Sequence, residues 1–114
     1  MNASVLRCEV YWVDLDPVRG SEIAKTRPCV VVSETEVNRV RRTVVIVPLT
    51  STDSPAAWPL LIALPDFTPR TKARIEQIRV VDKTRLQKRI AVMDGKSMQS
   101  IETALGLVLH VGIP

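Results

Sequence analysis

Short β-branched runs, most of them stopped by proline or aspartate, fill this chain as far as residue 93, and a single helical stripe follows them. That order leaves little room for a fold with helices crossing between parallel strands. Residues 43–50 (TVVIVPLT) form the most strand-like segment, and Pro48 places its far end at a sheet edge or bulge. Residues 8–15 (CEVYWVDL) read as a first strand, apolar on both faces and so covered on both, ended by Asp16-Pro17. Residues 28–32 make a second strand and 60–64 a fourth, closed by Pro65 and Asp66. Near-alternation over 73–81 predicts a further strand, 82–86 a turn, and 88–93 the last strand. Ser33-Glu34-Thr35-Glu36 fits a capping box opening a short helix through 37–40. Asp94 caps a terminal helix whose stripe is Met98, Ile101, Ala104-Leu105 and Val108-Leu109. The expected class is mainly β with short helices (α+β), a small barrel-like sheet with a C-terminal helix.

Length makes this one domain, residues 1–114, large enough for a core without disulfide staples. Only 4% of residues are aromatic, so Val, Leu and Ile must fill that core. The net charge of +4 is unevenly spread: residues 70–89 alone carry +6, which leaves −2 for the rest. A basic strip of this kind points to phosphate-bearing partners, its bland alternative being a solvated face.

Cys8 and Cys29 fall in expected strands and read as reduced core thiols. With one histidine beside them they make no zinc site, so no metal or cofactor is expected. The start of the chain lacks the apolar stretch of a signal peptide, and no run reaches the roughly 20 apolar residues of a membrane helix. A cytoplasmic protein without membrane association is the expectation.

The chemistry concentrates at 19–28 (RGSEIAKTRP), a polar loop running into the second strand. Gly20 can take positive φ, and Pro28 biases Arg27 towards extended backbone, so the guanidinium projects from a fixed base. Arg27 is read as a phosphate-binding group, with Thr50 beside it from the end of the neighbouring strand. A structural bridge from Arg27 to Glu22 is the alternative reading, and for Thr50 an ordinary strand position.

The blocks EVYWVDLDPVRGSE, KTRPCVVVS, VNR, VPLTS, EQIRVVDKTRL and IETALGLVL, taken in this order, resemble the MazF/PemK family of toxin endoribonucleases from bacterial type II toxin–antitoxin pairs. The resemblance implies an SH3-like (CcdB-like) barrel, a homodimer, and metal-independent cleavage of single-stranded RNA. It places the catalytic arginine at Arg27, the strand-closing threonine at Thr50 and the loop acid at Glu22. An Arg-x-acid pattern implicated in proton transfer in some members falls on Arg74 and Glu76. Those members carry His where this chain has Ser21, and Lys72 and Arg74 replace residues that are apolar in other branches. The remaining RNA-contacting candidates are Lys25, Ser51, Trp58, Gln77, Arg79, Lys83 and Arg85. Trp58 can stack a base or pack its own loop, Glu76 can pair with Arg74 or Lys72, and Trp12 reads as core or dimer interface. A cognate antitoxin with an acidic, extended tail is the implied partner, covering Arg27. The same barrel also carries toxins that bind DNA gyrase without cutting RNA, and a degenerate binding-only member is a further alternative.

Overall fold

A computed structural model describes residues 4–17, 19–22 and 25–112. Ile23 and Ala24 of the charged loop and Ile113 and Pro114 of the tail lie outside the described residues. In chain order the elements are β1 (Glu9–Asp14), β2 (Thr26–Val31), α1 (Thr35–Val40), β3 (Thr43–Ser51), β4 (Leu61–Ala63), β5 (Thr71–Arg74), β6 (Arg79–Asp82), β7 (Leu86–Val92) and α2 (Gly95–Leu109). Every strand pairing among them is antiparallel, in the order β4-β5-β3-β2-β1-β7, with β6 added to β3. The fold is the mainly β architecture with a C-terminal helix that the sequence implies. Its sheet is open, because β6 and β7 are joined by the 3₁₀ turn Lys83–Arg85 and do not pair with each other among the described residues.

β3 holds the architecture together. Residues 43–46 pair with β6, Ile46 to Pro48 pair with β2, and Leu49 to Ser51 pair with β5. Pro48, lacking an N–H, is the last residue of the strand paired with β2, and beyond it residues 49–51 pair only with β5 among the described residues, so the far end runs on as a sheet edge.

Alternation along the strands divides the apolar residues into two cores. Val10, Val30, Val47, Leu49, Ala73 and Ile75 pack beneath α2 through Met98, Ile101 and Ala104. Val13, Leu15, Cys29, Val31, Val44, Ile46 and Val81 form the second core on the opposite face. Each fully buried Val or Ile contributes about 1.5–3 kcal/mol, so β-branched residues suffice where aromatics are scarce. Asp94 accepts the N–H of Ser97 at 3.0 Å as the helix cap, and that bond holds its carboxyl below the usual range. His110 ends the helix in the left-handed region (φ 57°), its N–H meeting the carbonyls of Gly106 and Leu107.

Several local expectations are corrected. Residues 73–81 are not one strand: the 3₁₀ turn Ile75–Gln77 separates β5 from β6 and buries Ile75. Thr71 and Lys72, ahead of the strand expected from residue 73, already belong to β5. Ser33 caps nothing, because Glu34 is the N-cap and the Ser33 hydroxyl instead donates to Asn38 Oδ1 and accepts the N–H of Val45. Cys8 lies in a turn with φ 79°, while Cys29 is a buried strand residue. Trp12 is 39% exposed, so β1 is not covered on both faces and Trp12 is not core. Leu109 of the helical stripe is exposed as well.

A buried carboxylate locks the edge of β1. Glu9, only 3% exposed, accepts hydrogen bonds from the Leu6 N–H (2.8 Å), the Tyr11 hydroxyl (2.9 Å) and Arg89 Nη1 (2.7 Å). Burial pushes the Glu9 carboxyl up, but these donors outweigh it and hold it below the usual carboxylate range. Burial and the neighbouring carboxylate push the Tyr11 phenol up to about 12. A depressed acid stabilises the fold above its unfolded value, about 4.3, and that contribution disappears as pH falls through the folded value. Glu9→Gln is therefore expected to cost about 1–3 kcal/mol at neutral pH and to flatten the acid limb of stability. Urea midpoints measured from about pH 7 to about pH 3 check this; an acid limb as steep as the parent's would contradict it.

Candidate active site

The antiparallel register assembles charged and polar residues at one end of β2 and β3. Cys29 faces Pro48, the last residue pair recorded between the two strands. Two residues further along each strand stand Arg27 and Thr50, which by alternation lie on the Cys29–Pro48 face. On the other side of β2, Arg27 is paired with Val13 of β1. On the other side of β3, Thr50 is paired with Lys72 of β5, whose Nζ donates to the Thr52 carbonyl at 2.9 Å. Arg74, two residues beyond Lys72, shares that face and pairs with Leu61 of β4. Thr50 is nearly buried at 7% exposure, and Arg27 and Arg74 are half-buried.

Arg79 adds a cation from β6. It is paired with Ile46, so its side chain leaves the sheet on the face shared by Ile46, Pro48 and Thr50. Its charge acts on the Cys29 thiol, which burial nevertheless pushes up to about 12. Cys29 is therefore a protonated core thiol and not a nucleophile. Arg79 Nη1 is buried and has no hydrogen-bond partner among the described residues. A buried donor left without an acceptor is costly unless a ligand anion supplies one or pays in nearby electrostatics.

The loop that delivers Arg27 is tied at its root. The Leu15 N–H donates to the Lys25 carbonyl (3.0 Å), and the Lys25 N–H donates to Asp16 Oδ1 (3.0 Å). Lys25 takes φ 69°, unusual for a residue with a Cβ and held here by those two bonds. Arg85 reaches across from the 3₁₀ turn after β6, its Nη1 donating to the Asp14 carbonyl at 3.1 Å and to the Asp16 carbonyl. Glu22 Oε1 accepts the Arg19 N–H at 2.6 Å, closing the loop's tip.

The other expected contact residues are spread more widely. Ser51 is exposed and faces Thr71 of β5. Trp58 is 56% exposed beside the tight turn in which Ala57 and Leu61 exchange backbone hydrogen bonds, so it is displayed and not packed into its loop. Glu76 and Gln77 lie on the turn between β5 and β6, with Gln77 Nε2 donating to Glu76 Oε2 at 3.5 Å. No ion pair joins Glu76 to Arg74 or Lys72 among the described residues. Lys83 donates to the Asn38 carbonyl and so clamps the short helix α1. The register thus gathers Arg27, Thr50, Arg74 and Arg79, whereas Lys83 and Arg85 are engaged in bracing the scaffold. Sequence reading missed Asp16, which takes up both Lys25 and Arg85. An Arg–backbone contact spanning 69 positions leaves no local pattern to find.

Among the described residues no group of three or more His, Cys, Asp or Glu side chains is placed to hold a metal ion. No described helix is long and apolar enough to cross a membrane.

Residues 6–109 match the family model described as the PemK-like, MazF-like toxin of type II toxin-antitoxin system. Endoribonuclease EndoA of Bacillus subtilis (strain 168) is 32% identical over 109 residues, covering 92% of this chain and 94% of that protein. Endoribonuclease MazF6 of Mycobacterium tuberculosis (strain H37Rv) is 33% identical over 112 residues, covering 94% of this chain and 98% of that protein. A solved mycobacterial endoribonuclease in complex with its cognate antitoxin superposes with a TM-score of 0.77 at 27% identity, over 100% of both chains. The chain belongs to the PemK-like, MazF-like toxins of type II toxin–antitoxin systems.

Proposed function

We propose that this chain is an endoribonuclease toxin that cuts single-stranded RNA at the Arg27–Thr50 end of β2 and β3. The observation that carries the reading is the register: the pair Cys29–Pro48 sets Arg27 and Thr50 on one face, with Lys72 and Arg74 on the adjoining strand. The endoribonuclease names of EndoA and MazF6 support the same activity.

RNA brings its own nucleophile, so this site needs neither a serine nor a thiolate. The 2′-oxygen attacks the adjacent phosphorus, the P–O5′ bond breaks, and the products are a 2′,3′-cyclic phosphate and a 5′-hydroxyl. Between these states the phosphorane carries more negative charge than the ground state. Arg27 meets that charge with a planar fork able to give two hydrogen bonds to non-bridging oxygens. Thr50 donates one more and fixes the rotation of the phosphate. Glu76 accepts the proton of the 2′-hydroxyl. Trp58, exposed on its turn, stacks a flanking base. Glu22, Lys25, Ser51 and Gln77 line the approach of the strand.

A homodimer fits the exposure of Trp12, Ile90 and Val92 on the neighbouring strands β1 and β7. The solved mycobacterial endoribonuclease is bound to its cognate antitoxin; a cognate antitoxin of this chain lays an acidic segment over the cationic end and shuts RNA out. The protein acts in the cytoplasm, where its substrate is. Digestion of a long single-stranded transcript in the presence of EDTA tests the reading. Undiminished cleavage with 2′,3′-cyclic phosphate and 5′-hydroxyl ends is the expected result, and loss of cutting on chelation would overturn the metal-independent mechanism.

A further inference from the structure

A second feature lies apart from the Arg27–Thr50 end. Where the open sheet leaves β6 and β7 unpaired, a cavity of about 640 Å³ lies between the β6–β7 corner and the end of α1. Its apolar lining includes Val5, Tyr11, Val40 and Leu86. Its charged lining is Arg39, Arg41, Arg42 and Lys83 against the single acid Asp82. Two of these cations are occupied: Arg39 pairs with Glu36 at 3.1 Å, and Lys83 holds the Asn38 carbonyl. Arg41 and Arg42 are exposed and enter no ion pair among the described residues.

We propose that this groove is an accessory RNA subsite, which holds the single strand some distance from the bond being cut. The proposal rests on the endoribonuclease reading and extends it. Position favours RNA as the occupant. Leu86 of the groove is paired with Val13, and Val13 with Arg27, in one row across β7, β1 and β2. Two strand spacings, about 10 Å, therefore separate the groove's wall from the backbone of Arg27. Tyr11 and Val13 share a face, so the groove opens on the side of the sheet to which Arg27 belongs. A polynucleotide leaving the cut can follow that row, its phosphates towards Arg41 and Arg42 and its bases towards the apolar floor.

The test uses two RNA oligonucleotides centred on a cleavage position mapped from a digested transcript. One ends close to the cut on both sides, and the other extends well beyond it. For the double variant Arg41→Gln/Arg42→Gln, kcat/KM on the long oligonucleotide is expected to fall about tenfold, with a salt dependence shallower by about 1.4 in logarithmic slope, about 0.7 for each lost phosphate contact. On the short oligonucleotide the variant should match the parent. Equal losses on both lengths would overturn the subsite, because the arginines would then be acting on the cut itself. Unchanged cutting of both lengths would overturn it too; lost binding of a poly-glutamate peptide alongside would assign the groove to an acidic protein segment. If the parent protein cuts neither oligonucleotide, nor the transcript they derive from, the endoribonuclease reading itself fails.

Discussion

Arg27→Ala is expected to lower the rate of RNA cleavage by about 10³-fold or more, while leaving the denaturation midpoint close to the parent's. The size follows from what the guanidinium does. Charge builds on the non-bridging oxygens only as the 2′-oxygen approaches, so a fork fixed there stabilises the transition state more than the bound substrate. A factor of 10³ corresponds to about 4 kcal/mol, within reach of a pair of charge-assisted hydrogen bonds in a partly dry site. Arg27 is half-buried near the start of β2, and the cores beneath it are built from other residues, so the fold should tolerate the change. Arg27→Lys should recover only part of the loss, because an ammonium cannot present two parallel donors. Single-turnover rates on a mapped oligonucleotide, with a urea denaturation curve for each variant, separate the two effects. Retained cutting by Arg27→Ala would refute the role assigned to this residue.

Thr50→Val should cost about 10²-fold in the same assay, the loss typical of removing one preorganised donor. Valine keeps the branched shape at a position only 7% exposed, between β2 and β5, so packing should survive and strand propensity is if anything improved. Thr50→Ser, which keeps the hydroxyl, is expected to restore most of the activity. That contrast distinguishes a donor from a packing residue: if Val keeps the activity and Ser loses it, the methyl group and not the hydroxyl matters.

Much of this architecture is legible in the sequence because β-branched runs and one clean helical stripe leave few alternatives. β3, at Thr43–Ser51, and α2, opened by Asp94, emerge close to where periodicity and cap chemistry set them. The departures share a cause, which is tertiary contact overriding a local pattern. The near-alternation through Ile75 looks continuous, yet the chain turns there to bury Ile75 and hand over from β5 to β6. Ser33 has the right spacing for a cap, but Asn38 and Val45 claim its hydroxyl. At the site, the charged loop and the Arg-Pro junction mark Arg27 locally. Thr50 is singled out chiefly by the family resemblance, and the β2–β3 register then sets it on the face of Arg27, while the carbonyl partners of Lys83 and Arg85 come from far along the chain. Long-range bonds of that kind have no signature in the order of residues.

The chemistry assigned to the Arg27–Thr50 end depends on the substrate's own 2′-oxygen, and one substitution in the RNA tests that dependence. An oligonucleotide spanning a mapped cleavage position is made with a single 2′-deoxyribose on the 5′ side of the scissile phosphate and ribose elsewhere. The modified strand should bind as the all-ribose strand does and stay intact at that bond. Cleavage there at the parent rate would contradict attack by the 2′-hydroxyl and, with it, the roles given to Arg27 and Thr50.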